Sequence, residues 1–278
     1  MGAGSMTDIA EARGAPAVTP VASARRGDSR PRWRGLILPA ALIVVWAAAA
    51  HLPSLHSELL VPIDVILTAP FVDEAGRQIW LGLAVSLARF AAGFAVGATA
   101  GVAFGLLLGA STTADRVAGP SFHALRQITL FAWIPLLSAW FGNGEAAKIV
   151  FVALSAFFPA ALNTHEGLRT IPDHFLELAK VMRFSPRLRL RRLLFPGALP
   201  SIFIGVQIAL ITAWIGTVGA EYLIGVGRGL GTFIAEARGQ FRMDLVLFGV
   251  LLLALVGFVV NAACRLVFAR LLRWQGVA

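Results

Sequence analysis

Charged residues and cysteine are scarce in this chain of 278 residues. Only 14% of the residues are charged and 58% are hydrophobic, whereas a typical soluble domain has about 25% charged residues. The single cysteine, Cys264, excludes a disulfide or a cysteine-based metal site within one chain. No Gly-Lys dipeptide occurs, so the chain lacks the lysine of a P-loop and is not expected to bind ATP in that manner. The mean hydropathy of +0.77 predicts an integral membrane protein.

Catalytic and metal-binding patterns are missing as well. The five histidines are scattered without the spacing of metal ligands, and neither a nucleophile elbow nor a pair of buried carboxylates can be found. We therefore expect a non-catalytic chain with no metal and no cofactor of its own. The formal charge of +9 could indicate a nucleic-acid partner. However, no patch combining basic and aromatic residues lies outside the membrane loops, so no such partner is expected.

Six apolar segments each approach the ~20 residues that a bilayer-spanning helix requires. They are Gly35–Leu52, Trp80–Gly109, Phe122–Phe141, Ala146–Asn163, Ser201–Ile224 and Leu245–Phe268. We therefore predict an all-α, polytopic membrane fold with six transmembrane helices for residues 35–278. Residues 1–34 are rich in Ala, Gly, Pro, Ser and Arg and show no periodicity, which predicts a disordered cytoplasmic tail.

Basic residues predict the orientation, because cytoplasmic segments of membrane proteins carry an excess of Lys and Arg. The N-terminal tail, the Ser111–Arg126 connection, the Thr164–Pro200 segment and the C-terminal end together hold eighteen basic residues, and the opposite side holds five. Both termini and Thr164–Pro200 are therefore expected in the cytoplasm. Arg89 lies within the second span, near one end, and is expected to extend to the outer interface.

The segment Thr164–Pro200 is too long for a simple connection, since helices are usually joined by about 2–8 residues. Pro172 is expected to open one short amphipathic helix, and Ser185 with Pro186 is expected to cap a second one that Pro196 and Pro200 close. Two basic, capped helices suit docking to another protein. They also suit an amphipathic segment on anionic lipid, and the pattern leaves both interpretations open.

A glycine occupies every fourth position of the second span, at Gly93, Gly97, Gly101, Gly105 and Gly109. This spacing places the glycines on one stripe of a helix, where the missing side chains let another backbone approach closely. The stripe predicts tight helix packing, either within the chain or with another chain.

Polar side chains inside apolar spans are costly and mark either a bonded pair or a pathway. Gln207 and Glu221 are the candidates for a solute pathway, because the Ser and Thr hydroxyls of the spans can bond a carbonyl one turn back. The alternating glycines of Gly225–Gly231 predict a tight or re-entrant turn on the outer side and fit neither nucleotide-binding fingerprint.

From Leu36 to Arg273 the chain resembles the permease subunits of bacterial ABC importers, in the branch that handles nitrate, sulfonate and taurine. That family carries a cytoplasmic loop that begins with Glu-Ala-Ala, continues to a glycine and ends in Ile-x-Leu-Pro. Here Glu177–Ala179 stands at the first motif and Leu193–Pro196 at the last. Further similarity lies in Arg126–Leu137, Phe141–Gly142, Lys148–Ile149, Phe157–Pro159, Asn163–Thr164 and Pro196–Pro200.

The resemblance implies the fold of a type I importer permease in the bacterial inner (plasma) membrane. Its expected partners are two ATPase subunits that bind the ATP, a second permease copy, membrane lipid, and a periplasmic or lipid-anchored solute-binding protein. The expected solute is a small anion such as a sulfonate, taurine or nitrate. A stand-alone secondary transporter and a membrane-anchored scaffold are the alternatives.

The resemblance also implies which residues couple the permease to the ATPase. They are Glu177, Ala179, Arg183, Phe184 and Ser185, with Ala179 and Phe184 buried in a groove of the ATPase. The glycine of the family is Arg183 here, and the small residue after it is Phe184. Either this elbow bends differently, or its docking partner matches the change.

Overall fold

A computed structural model describes residues 34–51, 61–72 and 74–271 of the chain, and all regular structure in these residues is helical. The predicted all-α fold is thus observed in the described residues. The predicted disordered tail, residues 1–34, lies outside them except for Arg34, where the first helix begins.

The helices follow one another through short connections. In chain order the described residues form α1 (Arg34–His51), α2 (Ile63–Val72), α3 (Glu74–Ala110), α4 (Thr112–Leu125), α5 (Ile134–Phe141), α6 (Glu145–Arg169), α7 (Asp173–Val181), α8 (Pro186–Arg189), α9 (Phe195–Ile224), α10 (Leu230–Gly239) and α11 (Met243–Leu271). A 3₁₀ turn, Leu130–Trp133, precedes α5, and a π-helical segment, Leu190–Leu194, joins α8 to α9. The sequence patterns had not indicated α2 and α10 as separate helices.

Four helical stretches of the described residues are long and apolar enough to cross a membrane. They are Gly76–Ala110, Glu145–Arg169, Pro186–Ile224 and Met243–Phe268. The pair formed by α4 and α5 adds a fifth if it is one span, and α1, where the first span was predicted, contains a shorter apolar stretch, Ala41–Ala50. The chain is therefore a multi-pass membrane protein, with four or five of the six predicted spans identified by length and composition.

The third predicted span, Phe122–Phe141, is not one straight helix. Ser111 caps α4 through a hydrogen bond from Ala114 N–H to Ser111 Oγ at 3.3 Å, and α4 ends at Leu125. The helices on either side of this break meet at 94°. The polar residues at the break and the proline in the first turn of α5 explain it, because proline is tolerated at a helix start but not in a helix interior.

The helix predicted to close at Pro196 continues instead through a bilayer-spanning length. Residues Pro186–Ile224 form one helical stretch of 39 residues. Phe195 N–H bonds to the Leu190 carbonyl, five residues back, and this wider π-turn lies directly before Pro196. The helix continues past both Pro196 and Pro200, so the prediction that these prolines close it was wrong. A π-turn or a proline can be accommodated within a helix at the cost of a local kink.

The centre of the fold is α6, which packs between α3 and α9. Small buried side chains such as Ala156, Ala160 and Ala213 line the contacts, and two aromatic rings fill the remaining space. Phe90 of α3 and Trp214 of α9 meet edge to face with ring centroids 5.7 Å apart. Three long helices are therefore held together by close backbone approach and a few large side chains.

Candidate functional site

The glycine stripe of α3 lies against α6 of the same chain. A Cβ atom added to Gly93 would stand 2.6 Å from the Val152 side chain, and one added to Gly101 would stand 2.5 Å from the Phe157 carbonyl oxygen. Gly97, Gly105 and Gly109 meet residues of α6 just as closely. No side chain fits at such distances, so the two backbones touch over about four turns. Of the two partners that the spacing left open, the partner observed is within the chain.

On the side of the molecule where α6 ends, α7 and α8 form what we call the elbow segment (residues 173–189). Arg183 has a φ of 51°, in the left-handed region. Phe184 N–H donates to the Ala179 carbonyl at 2.9 Å, and Arg183 N–H donates to the Lys180 carbonyl at 2.9 Å. This hydrogen-bond pair is a Schellman motif, the usual helix ending in which glycine takes the left-handed position. Arg183 therefore adopts the left-handed conformation that glycine usually takes at such a helix ending.

The second half of the elbow segment begins as its sequence predicts. Leu188 N–H donates to Ser185 Oγ at 3.3 Å, and Pro186 occupies the first turn of α8. The two caps fix the direction of the chain between α7 and α8 without any partner.

One side of α7 is apolar and is not covered by the residues that the structure describes. Leu178, Val181 and Met182 are all exposed, with Val181 at 80%. Their spacing places them on one face of the helix, and Glu177 is exposed beside them. The sequence patterns had not singled out Val181 as a contact residue, although its spacing from Leu178 was the available signal.

Ala179 points into the chain itself. It is 4% exposed without any partner present, so a groove of another subunit is not what buries it. The expectation that docking buries Ala179 is corrected, because Ala179 lies on the face of α7 that packs inside the chain, opposite the exposed face of Leu178, Val181 and Met182. Phe184 is half-buried in the chain and remains partly open to a partner.

The elbow segment is attached to the long helices at several points. Arg189 Nη2 lies 3.4 Å from the carbonyl oxygen of Ala110, the last residue of α3. A cation at a helix C-terminus interacts favourably with the helix dipole. Leu176 and Leu190 pack on the buried cluster of Leu168, Ile171, Leu194, Ala198 and Ile202. The elbow segment is therefore in direct contact with the ends of α3, α6 and α9.

At the far end of these helices, Glu221 lies in a buried polar cluster. Its carboxylate accepts hydrogen bonds from Ser86 Oγ at 2.7 Å and from Gly231 N–H at 2.9 Å, and it pairs with Arg89. Arg89 also donates to Glu145 at 2.6 and 2.8 Å. Arg89 is 3% exposed, so the prediction that it extends to the outer interface was wrong. The Glu221 carboxylate is fully buried and bonded in this structure, and its pathway role stays a prediction.

The alternating glycines after α9 have two explanations: a left-handed backbone at the first two and contact with the Glu221 side chain at the last two. Gly225 and Gly227 have φ values of 67° and 82°, which glycine adopts without strain. A Cβ on Gly229 would lie 2.5 Å from the Glu221 carboxyl carbon, and one on Gly231 would lie 2.8 Å from Glu221 Cβ. We call residues 225–231 the glycine turn; it is the tight turn that the sequence predicted.

Gln207, the other pathway candidate, is half-buried and bonded to a neighbouring helix. Its Nε2 donates to Asn261 Oδ1 of α11 at 3.2 Å. Gln207 and Glu221 are separated on α9 by about 21 Å along the helix axis, so the structure does not bring them together. A pathway role for Gln207 stays a prediction.

Comparison with known proteins places this geometry in a class. A family model described as "Binding-protein-dependent transport system inner membrane component" matches residues 97–273. The "Putative aliphatic sulfonates transport permease protein SsuC" of Bacillus subtilis (strain 168) is 34% identical over 270 residues, 96% of this chain and 97% of that protein. The bicarbonate transport system permease protein CmpB of Synechococcus elongatus is 32% identical over 260 residues, 85% of this chain and 92% of that protein.

Two further proteins are similar to this chain, one in sequence and one in structure. The taurine transport system permease protein TauC of Escherichia coli (strain K12) is 32% identical over 244 residues, covering 85% of this chain and 88% of that protein. A chain of the MetNI methionine ABC transporter, solved in an inward-facing conformation, superposes with a TM-score of 0.59 at 23% identity, covering 68% of this chain and 94% of that chain. At this identity the superposition supports the fold alone.

The helical multi-pass fold and the elbow segment define a transmembrane permease subunit. The chain belongs to the family of binding-protein-dependent transport system inner membrane components.

Proposed function

We propose that two copies of this chain form the solute pathway of an ATP-driven importer, with two separate ATPase subunits docked on the elbow segments. The observation that carries this proposal is the exposed apolar face of Leu178, Val181 and Met182 on a helix whose end is capped and whose inner face is anchored. ATP binds to the partner subunits, and this chain contributes no cofactor. Glu177, Arg183, Phe184 and Ser185 lie beside the docked face.

Family membership favours a protein partner over a lipid surface for this face. A basic amphipathic helix can also lie on anionic lipid, but transport systems of this family are assembled from separate components that must be coupled. The stand-alone transporter has no comparable support, since the matched relatives carry names of transport-system permeases.

We infer that the elbow segment and both termini are cytoplasmic and that the glycine turn faces outward. The charge distribution supports this orientation, with eighteen basic residues on the proposed cytoplasmic side and five on the other. The membrane is the bacterial inner membrane, and a solute-binding protein delivers the solute at the outer face.

The proposed solute is a small molecule that carries an oxyanion group. The relatives bear the names of aliphatic sulfonate, bicarbonate and taurine systems, and each of these solutes presents a charged group of carbon- or sulfur-bound oxygens. Nitrate is also a small oxyanion, with its oxygens bound to nitrogen, and remains in the proposed class.

In the proposed cycle, ATP closes the two ATPase subunits and brings the docked elbow segments together. The Arg189–Ala110 contact and the leucine cluster pass this movement to the long helices. The helix bundles then alternate between inward-facing and outward-facing arrangements, as rigid bodies do in alternating access.

A charge on the docked face provides the test. We expect Val181→Asp to abolish co-purification of the ATPase and ATP-dependent uptake, because an unpaired charge in a buried contact costs several kcal/mol. The permease itself should still fold, since Val181 is 80% exposed in the chain alone.

The matched control is Val72→Asp, at a valine that is 73% exposed and lies on α2, away from the elbow segment. This variant should retain the ATPase. Full recovery of the ATPase with wild-type uptake in Val181→Asp would contradict docking through this face. Uptake would be measured in liposomes with taurine, an alkanesulfonate, bicarbonate and nitrate as solutes.

A further inference from the structure

The backbone of the glycine turn is held by side chains from the long helices. Lys148 Nζ of α6 donates to the Val226 carbonyl, and Arg89 Nη2 of α3 lies 3.2 Å from the Arg228 carbonyl oxygen. Leu230 N–H donates to Ser86 Oγ of α3 at 2.8 Å. With the bond from Gly231 N–H to Glu221, the turn is bound at four backbone positions by residues of α3, α6 and α9.

The charges that make these bonds are balanced and largely removed from solvent. Arg89 and Lys148 supply two cations, and Glu145 and Glu221 supply two carboxylates. Lys148 and Glu221 are completely buried, whereas the Glu145 side chain is 57% exposed at the first turn of α6. Burying an ion pair gives little net stability. The cluster is therefore better explained by structural specificity, because pairing its charges selects one arrangement of the helices and the turn.

This cluster lies at the opposite end of α3 and α6 from the elbow segment. Between the two ends the glycine stripe keeps the helices in backbone contact, and at the elbow end Arg189 bonds the last residue of α3. A continuous set of close contacts therefore runs from the elbow segment to the glycine turn.

We propose that Arg89 and Lys148 are positioning residues that clamp the glycine turn to the α3–α6 pair, so that the turn moves with this pair during transport. The proposal rests on the proposed function, because that function supplies the ATP-driven movement. Neither residue needs to touch the solute; each acts through the backbone carbonyl of the turn.

The first experiment replaces Lys148 by methionine in the complex with its ATPase subunits. Methionine is unbranched and apolar, so it fills similar space but leaves the Val226 carbonyl without its donor. We expect Lys148→Met to assemble and to hydrolyse ATP at the basal rate, while uptake falls about tenfold, as for other mutations that weaken coupling between sites. Lys148→Arg keeps a cation and a donor and should recover most of the uptake.

Two outcomes of this experiment would overturn the clamp. One is wild-type uptake by an assembled Lys148→Met complex. The other is a parallel loss of thermal stability, ATP hydrolysis and uptake in an assembled complex, which indicates a merely structural role. A wild-type complex without ATP-dependent uptake would instead contradict the proposed function, whatever the variant does.

A second measurement leaves the clamp intact, so it is informative even if Lys148→Met fails to fold. Spin labels are placed on cysteines that replace Arg77 of α3 and Arg228 of the glycine turn, both exposed, in a Cys264→Ser background. We expect the distance within one chain to be unchanged between the nucleotide-free and ATP-bound complexes. A clear shift of that distance with ATP would show that the turn moves independently of α3 and would reject the proposal.

Discussion

Arg183 shows how one residue can occupy a position for which its family uses another. Its φ of 51° and the two hydrogen bonds around it form a complete helix ending. A non-glycine residue in this conformation costs roughly 1–2 kcal/mol, because Cβ crowds the following carbonyl. Phe241, at the end of α10, takes the same conformation with the same pair of bonds.

We predict that Arg183→Gly stabilises the isolated permease by about 1 kcal/mol, since glycine relieves the left-handed strain. The gain is partly offset by the larger conformational freedom of glycine in the unfolded chain. Thermal unfolding in detergent measures the change.

The matched control is Lys180→Gly, in the last turn of α7, where the backbone is helical and glycine should destabilise by up to about 1 kcal/mol. Destabilisation by Arg183→Gly of the same size would show that the left-handed conformation does not persist in the isolated protein.

Among the helices, α3 and α6 pack closely because the α3 residues at their contact are glycines, which have no side chain. Glycine costs helix stability, by about 1 kcal/mol relative to alanine in a helix interior. Five glycines in one helix are therefore explained only by the packing they permit. Near-contact of the two backbones leaves no room for a methyl group at any of the five positions.

We predict that Gly101→Leu disrupts this pair. Its Cβ alone would lie 2.5 Å from the Phe157 carbonyl oxygen and 2.9 Å from Ala160 Cβ, so the helices must separate. Overpacking of this kind costs typically about 1–3 kcal/mol, and more when backbone must move.

Ala103→Leu, two residues along on the exposed side of α3, is the control and should be tolerated. Detergent thermal stability and yield of the assembled complex are the measurements. Equal stability of the two variants would argue against close α3–α6 packing in the membrane.

On the scale of the whole molecule, orientation links the elbow segment to the ATPase and the glycine turn to the outer face. The proposed mechanism depends on this orientation, because the ATPase must dock on the cytoplasmic side and the solute must be delivered on the opposite side. The basic residues are the only guide to orientation in the described fold, because helix packing is the same whichever way the bundle is inserted.

We predict that a cysteine at Arg187 of α8 is protected from an impermeant thiol reagent added to intact cells, whereas a cysteine at Gln240 is labelled. Both positions are exposed, and a Cys264→Ser background removes the native thiol. Lysed cells, in which both sites should react, provide the control. Labelling of the Arg187 site from outside would reverse the topology and remove the docking proposal with it.

The composition and the spacing of residues were sufficient to predict the class of protein, the all-α fold and several local features. Long apolar segments can be stable only as membrane helices, so their positions are readable without coordinates. The caps at Pro172 and Ser185 and the tightness of the glycine turn also follow from neighbouring residues alone. The predicted helix bounds were wrong in two places. Polar residues and a first-turn proline break the predicted span Phe122–Phe141, and a π-turn precedes Pro196, beyond which the helix continues.

The polar cluster required the folded chain. Ser86, Arg89, Glu145, Lys148 and Glu221 come from three helices and are far apart in the sequence. Arg89 and Glu221 were the available signals, as ionisable residues of apolar spans, but spacing did not show that they are partners. In the same way, the division of α7 into a buried face at Ala179 and an open face at Val181 depends on where the long helices pack. Which side chains are neighbours across helices is set by tertiary packing, and burial gives these charges their importance because unpaired charges are not tolerated in such surroundings.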